Sequence, residues 1–493
     1  MTLALLGVGA ARAQNCTFDS ITPSRDLVWC ACEGNFFCAK LDVPLNYQEP
    51  DLGRAAVPLI KLPAASSSPN GPYRGMILVN PGGPGASGIE LARNNGTTVQ
   101  AVAGSNYDIV GFDPRGVGLT IHRFSKELGE RCEVQAGADT EAGPHMTSAV
   151  TARDMLSIVD AFVVTPDGER TALNSSLLNY YGISYGTFLG QTFASMFPDR
   201  VGHFAIDGHV SPEEFQSNFT SNSVNHLDGV LGAFFVYCHA AGPACSYYTG
   251  NTAMDIFKRW NASFSQLDAR TAEAEAVAPL SVFGKIVDTF VGLHDALASN
   301  ALAAWTENTN VDYGFRGLEG YVSSYPEQTL GVTCSDQGNT LYGKSLEDIQ
   351  PLISALNGQS IAGEIWTSAM LGCLGRPIRS NEVFRGPYGG NTSYPLLFIS
   401  NTFDPTTPIE NAIASIPKYT NARSLTVDNM GHSVAGYGPK FCAYGVIRSY
   451  FQDTMCGKKH YCPLEVGPFG ILLNGTIQEN LEAADLSNLR GLY

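Results

Sequence analysis

Six short, nearly unbroken apolar runs limit what this chain can fold into. They lie at 75–80, 107–112, 179–183, 201–206, 395–400 and 422–427. A strand with one wet face alternates apolar and polar residues. A strand covered on both faces does not alternate, so these runs read as parallel strands buried between helices. Helix-like stretches at 149–163, 186–196, 408–416 and 441–455 separate several of them, with Pro198 marking a helix end and Pro408 a helix start. Two earlier strands, 41–47 and 55–62, have no helix between them and are expected to pair antiparallel. The expectation is an α/β fold with a mostly parallel eight-stranded sheet and helices on both sides.

The alternation breaks after the sixth strand. About 180 residues intervene before the seventh, too many for a plain loop. Residues 211–390 are therefore expected to form a large, mainly helical cap. A cap leaving the carboxyl ends of the strands would roof the place where open α/β sheets bind ligands. The resulting division is 14–210 and 391–493 for the two parts of the core, with 1–13 as a leader.

The stretch 178–190, LNYYGISYGTFLG, carries G-x-S-x-G where a strand gives way to a helix. In that setting the motif is a nucleophile elbow. The turn is too tight for flanking side chains, and it thrusts the hydroxyl of Ser184 out at the top of the sheet. Serine at its ordinary pKa needs a base, and the base needs an orienting acid. On such a sheet these follow in the order acid, then histidine, on loops after late strands. Asp404 in LLFISNTFDPTTP and His432 in DNMGHSVAGYG satisfy that order, with Asp207 and His209 as rivals. The developing oxyanion requires backbone donors. The loop NPGGPGASG supplies the Gly83 amide, shaped by Gly82, and Tyr185 supplies the second amide. The loop lacks the Lys-Ser/Thr of a phosphate-binding loop.

The segments NPGGPGASG, YDIVGFDPRGVGLT, YYGISYGTFLGQTFASMFPDRV and LLFISNTFDPTTP with the later MGHSV resemble α/β-hydrolases related to proline iminopeptidase. They resemble more closely the tripeptidyl-aminopeptidase-like branch, which has a characteristic C-terminal segment. The resemblance covers about 74–210 and 390–465. It implies a serine hydrolase releasing short peptides or residues from N-termini, with Ser184, Asp404 and His432 as triad. GVTCSDQ (331–337) is also family-like, whereas CLGRP (373–377) has glycine where the family pattern leads one to expect tryptophan. An exopeptidase must hold a substrate ammonium, for which Glu213, Glu214 and Asp336 are candidates. The same triad would serve an esterase or amide hydrolase acting on a small secondary metabolite. A secreted binding protein on an inactive hydrolase scaffold is disfavoured by the intact set of catalytic residues. No cofactor is needed for this chemistry.

The leader expectation rests on a short apolar start followed by Ala11-Arg12-Ala13, an A-x-A cleavage pattern. Twelve cysteines and seven N-x-S/T sequons, at Asn15, Asn95, Asn174, Asn218, Asn261, Asn391 and Asn474, favour an oxidising, extracellular destination. Cys238/Cys245 and Cys456/Cys462 are the expected local disulfides; the cysteine spacing does not suit zinc. The formal net charge of −16, with no basic stripe, argues against nucleic acid and anionic membranes as partners.

Overall fold

The structure, a computed structural model, describes residues 16–119, 142–218, 222–264, 326–337, 340–360, 373–374, 378–434, 440–487 and 489. The expected leader lies outside them. Among the described residues, ten strands join in one sheet. They are β1 (Cys30–Ala31), β2 (Phe37–Pro44), β3 (Arg54–Leu62), β4 (Met76–Asn80), β5 (Asp108–Phe112), β6 (Leu178–Ile183), β7 (Val201–Asp207), β8 (Leu397–Phe403), β9 (Arg423–Met430) and β10 (Lys459–Cys462). The order across the sheet is β1-β2-β3-β5-β4-β6-β7-β8-β9-β10. The β1–β2, β2–β3 and β3–β5 pairs are antiparallel, and every pair from β5 to β10 is parallel.

All eight expected strands are present. The two additional ones are short edge strands, β1 with two residues and β10 with four. Their sequences carry no unbroken apolar run, because an edge strand buries little.

Helices longer than one turn are α1 (Gly88–Ala103), α2 (Ser148–Val163), α3 (Tyr185–Met196), α4 (Leu227–Ala241), α5 (Ala253–Phe264), α6 (Pro326–Asp336), α7 (Leu346–Gln359), α8 (Ile409–Ser415), α9 (Phe441–Phe451) and α10 (Ile477–Ala483). Successive residues of the central strands turn to opposite faces. Leu78 and Val110 share a core with Met155, Ile158, Phe188 and Phe193 of α2 and α3. Ile77, Val79 and Ile109 share the opposite core with Ile89 and Leu91 of α1 and Ile447 of α9. Burial on both faces is the physical reason for the unbroken apolar runs.

Helix α1 was not expected from the sequence, since GIELARNNGTTVQAVA holds Asn, Gly and Thr, all weak helix formers. Tertiary packing overrides that propensity. Ser87 caps the helix by accepting the Glu90 amide, and a Cβ on Gly88 would stand 2.2 Å from the Phe112 carbonyl, so the helix rides directly on β5.

Helix α1 carries the chain from β4 to β5, and α2 carries it back to β6 on the other side of β4. The loops after β4 and β6 therefore diverge, opening a crevice at the carboxyl ends of the strands. The described elements between β7 and β8 are helical, including α4 to α7. Phe234 and Phe235 of α4 and Phe257 and Trp260 of α5 form a third core with Phe403, Met430 and Leu481.

Among the described residues five disulfides are present: Cys16–Cys30, Cys32–Cys38, Cys238–Cys245, Cys334–Cys373 and Cys442–Cys462. The expected Cys238–Cys245 bond forms, but Cys456–Cys462 does not. β10 runs parallel to β9 and buries Cys462, which bonds Cys442 on the first turn of α9. Cys456 is exposed and bonds none of the other described cysteines. Nearness in sequence was misleading because the strand directs Cys462 inward, toward the helix.

Candidate active site

β6 ends at Ile183, and the next residue, Ser184, has φ 57° and ψ −125°, an unusual backbone for a residue with a side chain. Such strain persists only where the surroundings impose it. A Cβ on Gly182 would lie 2.5 Å from the Gly186 carbonyl, and one on Gly186 would lie 2.8 Å from the Asn80 carbonyl. The two glycines of G-x-S-x-G are thus demanded by the corner itself. The Ser184 amide donates to the Asp207 carbonyl at 2.9 Å, which fixes the corner to the end of β7.

Asp404 lies just beyond β8 and His432 just beyond β9. His432 Nδ1 meets Asp404 Oδ1 at 2.9 Å and Oδ2 at 3.0 Å. The carboxylate is fully buried and accepts the amides of Thr406 (3.0 Å), Thr407 (2.8 Å) and Ser433 (2.9 Å), and the Thr407 hydroxyl at 2.8 Å. Burial alone would raise its pKa. His432 and the surrounding donors outweigh burial and hold it below the usual range. Burial would likewise lower His432, but Asp404 prevails and raises it.

The two threonines of DPTTP were not singled out by sequence reasoning. The signal was there, since an Asp followed by hydroxyl residues is an Asx-turn pattern in which the carboxylate bonds the amides two and three residues on. Thr406 Oγ1 also lies 2.7 Å from His432 Nδ1.

Of the rivals, Asp207 holds the loop rather than the ring. Its Oδ1 accepts the Val434 amide at 2.8 Å and its Oδ2 the Tyr181 hydroxyl at 3.1 Å. His209 is buried against Phe398, with neither ring nitrogen hydrogen-bonded to a described residue. Burial pushes its pKa down to about 3, so it stays neutral.

The loop after β4 packs onto the elbow. A Cβ on Gly82 would stand 2.4 Å from the Ile183 carbonyl and 2.9 Å from Tyr185 N. The Gly82 amide donates to Asn80 Oδ1 at 2.9 Å. The amides of Gly83 and Tyr185 make no hydrogen bond to any described residue. Tyr185 opens α3, where backbone donors lack intrahelical partners.

The three carboxylates considered for a substrate ammonium have different partners. Glu213 pairs with Lys418 at 2.5 Å. Glu214 begins a π-helical turn, Glu214–Asn218, and its amide donates to Ser211 Oγ at 3.3 Å. Asp336 ends α6, buried, and accepts the Ser148 amide at 2.6 Å, the Ser148 hydroxyl at 2.8 Å and the Tyr185 hydroxyl at 3.2 Å. Burial pushes the Asp336 carboxyl up to about 7.

Residues 359–462 match the family described as TAP-like protein. The parallel strand order and the strand-turn-helix at Ser184 are those of an α/β-hydrolase fold, and residues 359–462 resemble the TAP-like segment. The serine protease Hip1 of Mycobacterium tuberculosis is 34% identical over 196 residues, 36% of this chain and 37% of that protein. The match thus spans little more than a third of the length of that relative. Tripeptidyl aminopeptidase of Streptomyces lividans is 26% identical over 460 residues, 81% of this chain and 78% of that one. Carboxylesterase B of Mycobacterium tuberculosis is 24% identical over 478 residues, 84% of each chain. All three names are those of hydrolases, and they span both peptide and ester cleavage.

Proposed function

We propose that this α/β-hydrolase is a secreted serine exopeptidase that releases short peptides or residues from substrate N-termini through an acyl-enzyme. The observation that carries this reading is the strained Ser184 at the strand-order reversal, one corner away from a His432 held by buried Asp404. Ser184 Oγ attacks the substrate carbonyl while His432 Nε2 takes its proton. Asp404 keeps the Nδ1 proton in place and stabilises the imidazolium. The amides of Gly83 and Tyr185 receive the negative charge that develops on the carbonyl oxygen. His432 returns the proton to the leaving amine, and water then repeats the sequence on the acyl-enzyme.

Two features favour a chain-end peptidase. A tripeptidyl aminopeptidase aligns over most of both chains. The helical segment between β7 and β8, read as a cap over 211–390, sends α6 against the elbow, which suits a cleft closed at one end. The esterase alternative is favoured by the alignment with carboxylesterase B. Secretion is supported by the five disulfides and by exposed sequon residues Asn174, Asn391 and Asn474. Among the described residues no helix is long and apolar enough to cross a membrane.

Ser184→Ala is expected to remove labelling by a fluorophosphonate probe and nearly all turnover. A variant with wild-type turnover would overturn the reading. His432→Ala is expected to be about as severe, since residues acting as one unit give losses that do not add.

A further inference from the structure

Tyr185 does two things at once. Its amide is the second oxyanion donor proposed above, and its side chain, 3% exposed, runs into the interior. There the ring packs against Phe188 and Phe215, and the hydroxyl meets Ser148 Oγ and Asp336 Oδ2. The position of the amide is therefore tied to what grips the hydroxyl. That grip comes from α6, in the segment between β7 and β8, which is remote in sequence from the elbow.

Helix α6 also touches the other half of the proposed oxyanion site. A Cβ on Gly85 would lie 2.8 Å from the Thr329 amide nitrogen, and Gly85 is two residues past Gly83. Thr329 and Asp336 are seven residues apart, about two helical turns, and so share one face of α6. Val332, on the same face between them, is buried in the core that contains Tyr185, Phe188 and Phe215. One stripe of α6 thus spans from the glycine loop to the elbow.

We propose that Asp336 is a positioning residue: by holding the Tyr185 hydroxyl it fixes the Tyr185 amide, and α6 thereby sets the spacing of the two oxyanion donors. This rests on Ser184 being the nucleophile. It gives Asp336 a role other than binding a substrate ammonium, and the geometry fits, because its carboxylate already accepts from Ser148 and Tyr185. Its place against the first amide of α2 also suits an anion, since a helix N-terminus is electropositive.

The test is the rate of reaction with a fluorophosphonate probe, separated into kinact and KI, because phosphonylation also loads negative charge onto the oxyanion donors. Asp336→Asn keeps the shape but replaces one acceptor oxygen with a donor. Tyr185→Phe removes the hydroxyl and keeps the amide. Loss of an oxyanion donor typically costs about 10²–10³ in rate, and displacement of one should cost less, so each variant is expected to lower kinact roughly ten- to a hundredfold with KI within about twofold. The double variant should be no worse than the poorer single, since both cut the same link. A purely structural role would lower the thermal midpoint and leave kinact of the folded fraction unchanged. Wild-type kinact in both single variants, beside an unreactive Ser184→Ala, would overturn the proposal and leave Ser184 as nucleophile. A raised KI or peptide KM with unchanged kinact would also overturn it and return Asp336 to ammonium binding. Labelling of Ser184→Ala at the wild-type rate would instead remove the nucleophile reading on which the proposal stands.

Discussion

Gly208 and His432 are in contact: a Cβ on Gly208 would stand 3.2 Å from His432 Cε1. Gly208 follows Asp207, whose carbonyl holds the Ser184 amide, so a single corner after β7 adjoins both the elbow and the imidazole. Its φ of +70° is also one that side chains rarely adopt. Gly208→Ala is expected to cost about 1 kcal/mol in backbone strain. Displacing His432 by a fraction of an ångström to about 1 Å should reduce turnover by up to roughly 10²-fold. Thermal unfolding and kcat measured on one preparation separate the two effects; unchanged kcat would mean that the corner does not position the ring.

The pH dependence follows from the raised pKa of His432. In the proposed mechanism the neutral ring is the general base, so activity is expected to be lost as pH falls through that pKa. The acidic limb of kcat/KM should therefore have its midpoint above 6.5, the ordinary histidine value. For stability the sign is opposite: a raised histidine contributes stability below its unfolded pKa and loses it as pH rises through the folded one. Asp404→Asn should reduce turnover severely at every pH. An acidic limb below 6.5 would show that Asp404 does not govern the ring.

Cys334–Cys373 anchors α6 to a residue 39 positions away. Replacing both cysteines by serine should cost about 2–4 kcal/mol of stability. If α6 carries the oxyanion geometry, kinact should fall as well. A double variant with unchanged thermal midpoint and unchanged kinact would show that α6 needs no such anchor.

Choice between peptidase and esterase turns on the substrate N-terminus. A free α-ammonium bound by a partly desolvated acidic group is worth on the order of 1.5–3 kcal/mol. That is roughly ten- to a hundredfold in kcat/KM. A peptide p-nitroanilide with a free N-terminus should be cleaved faster than its N-acetylated twin by that factor. Equal rates, or turnover of simple esters only, would favour the esterase reading.

Much of this architecture could be read in the sequence, for reasons that differ by element. The central strands announce themselves because both faces are buried, and the positions of Ser184, Asp404 and His432 just beyond strand ends could be read because each follows an apolar run. Helix α1 could not be read, since its stability comes from the sheet beneath it rather than from its own residues. β10 could not be read because it is short, polar and tied down by a disulfide. The roles of Thr406 and Thr407 needed coordinates, although their motif was visible. The engagement of Asp336 by Tyr185 joins residues 151 apart and leaves no local trace.

β7 and β8 are hydrogen-bonded neighbours, with Ala205 opposite Leu397, although about 190 residues separate them along the chain. The entropy of closing such a loop grows only with the logarithm of its length, about 0.6 kcal/mol for each doubling. Lengthening or shortening this excursion by tens of residues thus hardly alters the pairing energy of the sheet. A lineage built on this plan can remodel the segment between β7 and β8 by insertion and deletion, while the sheet below keeps its stability.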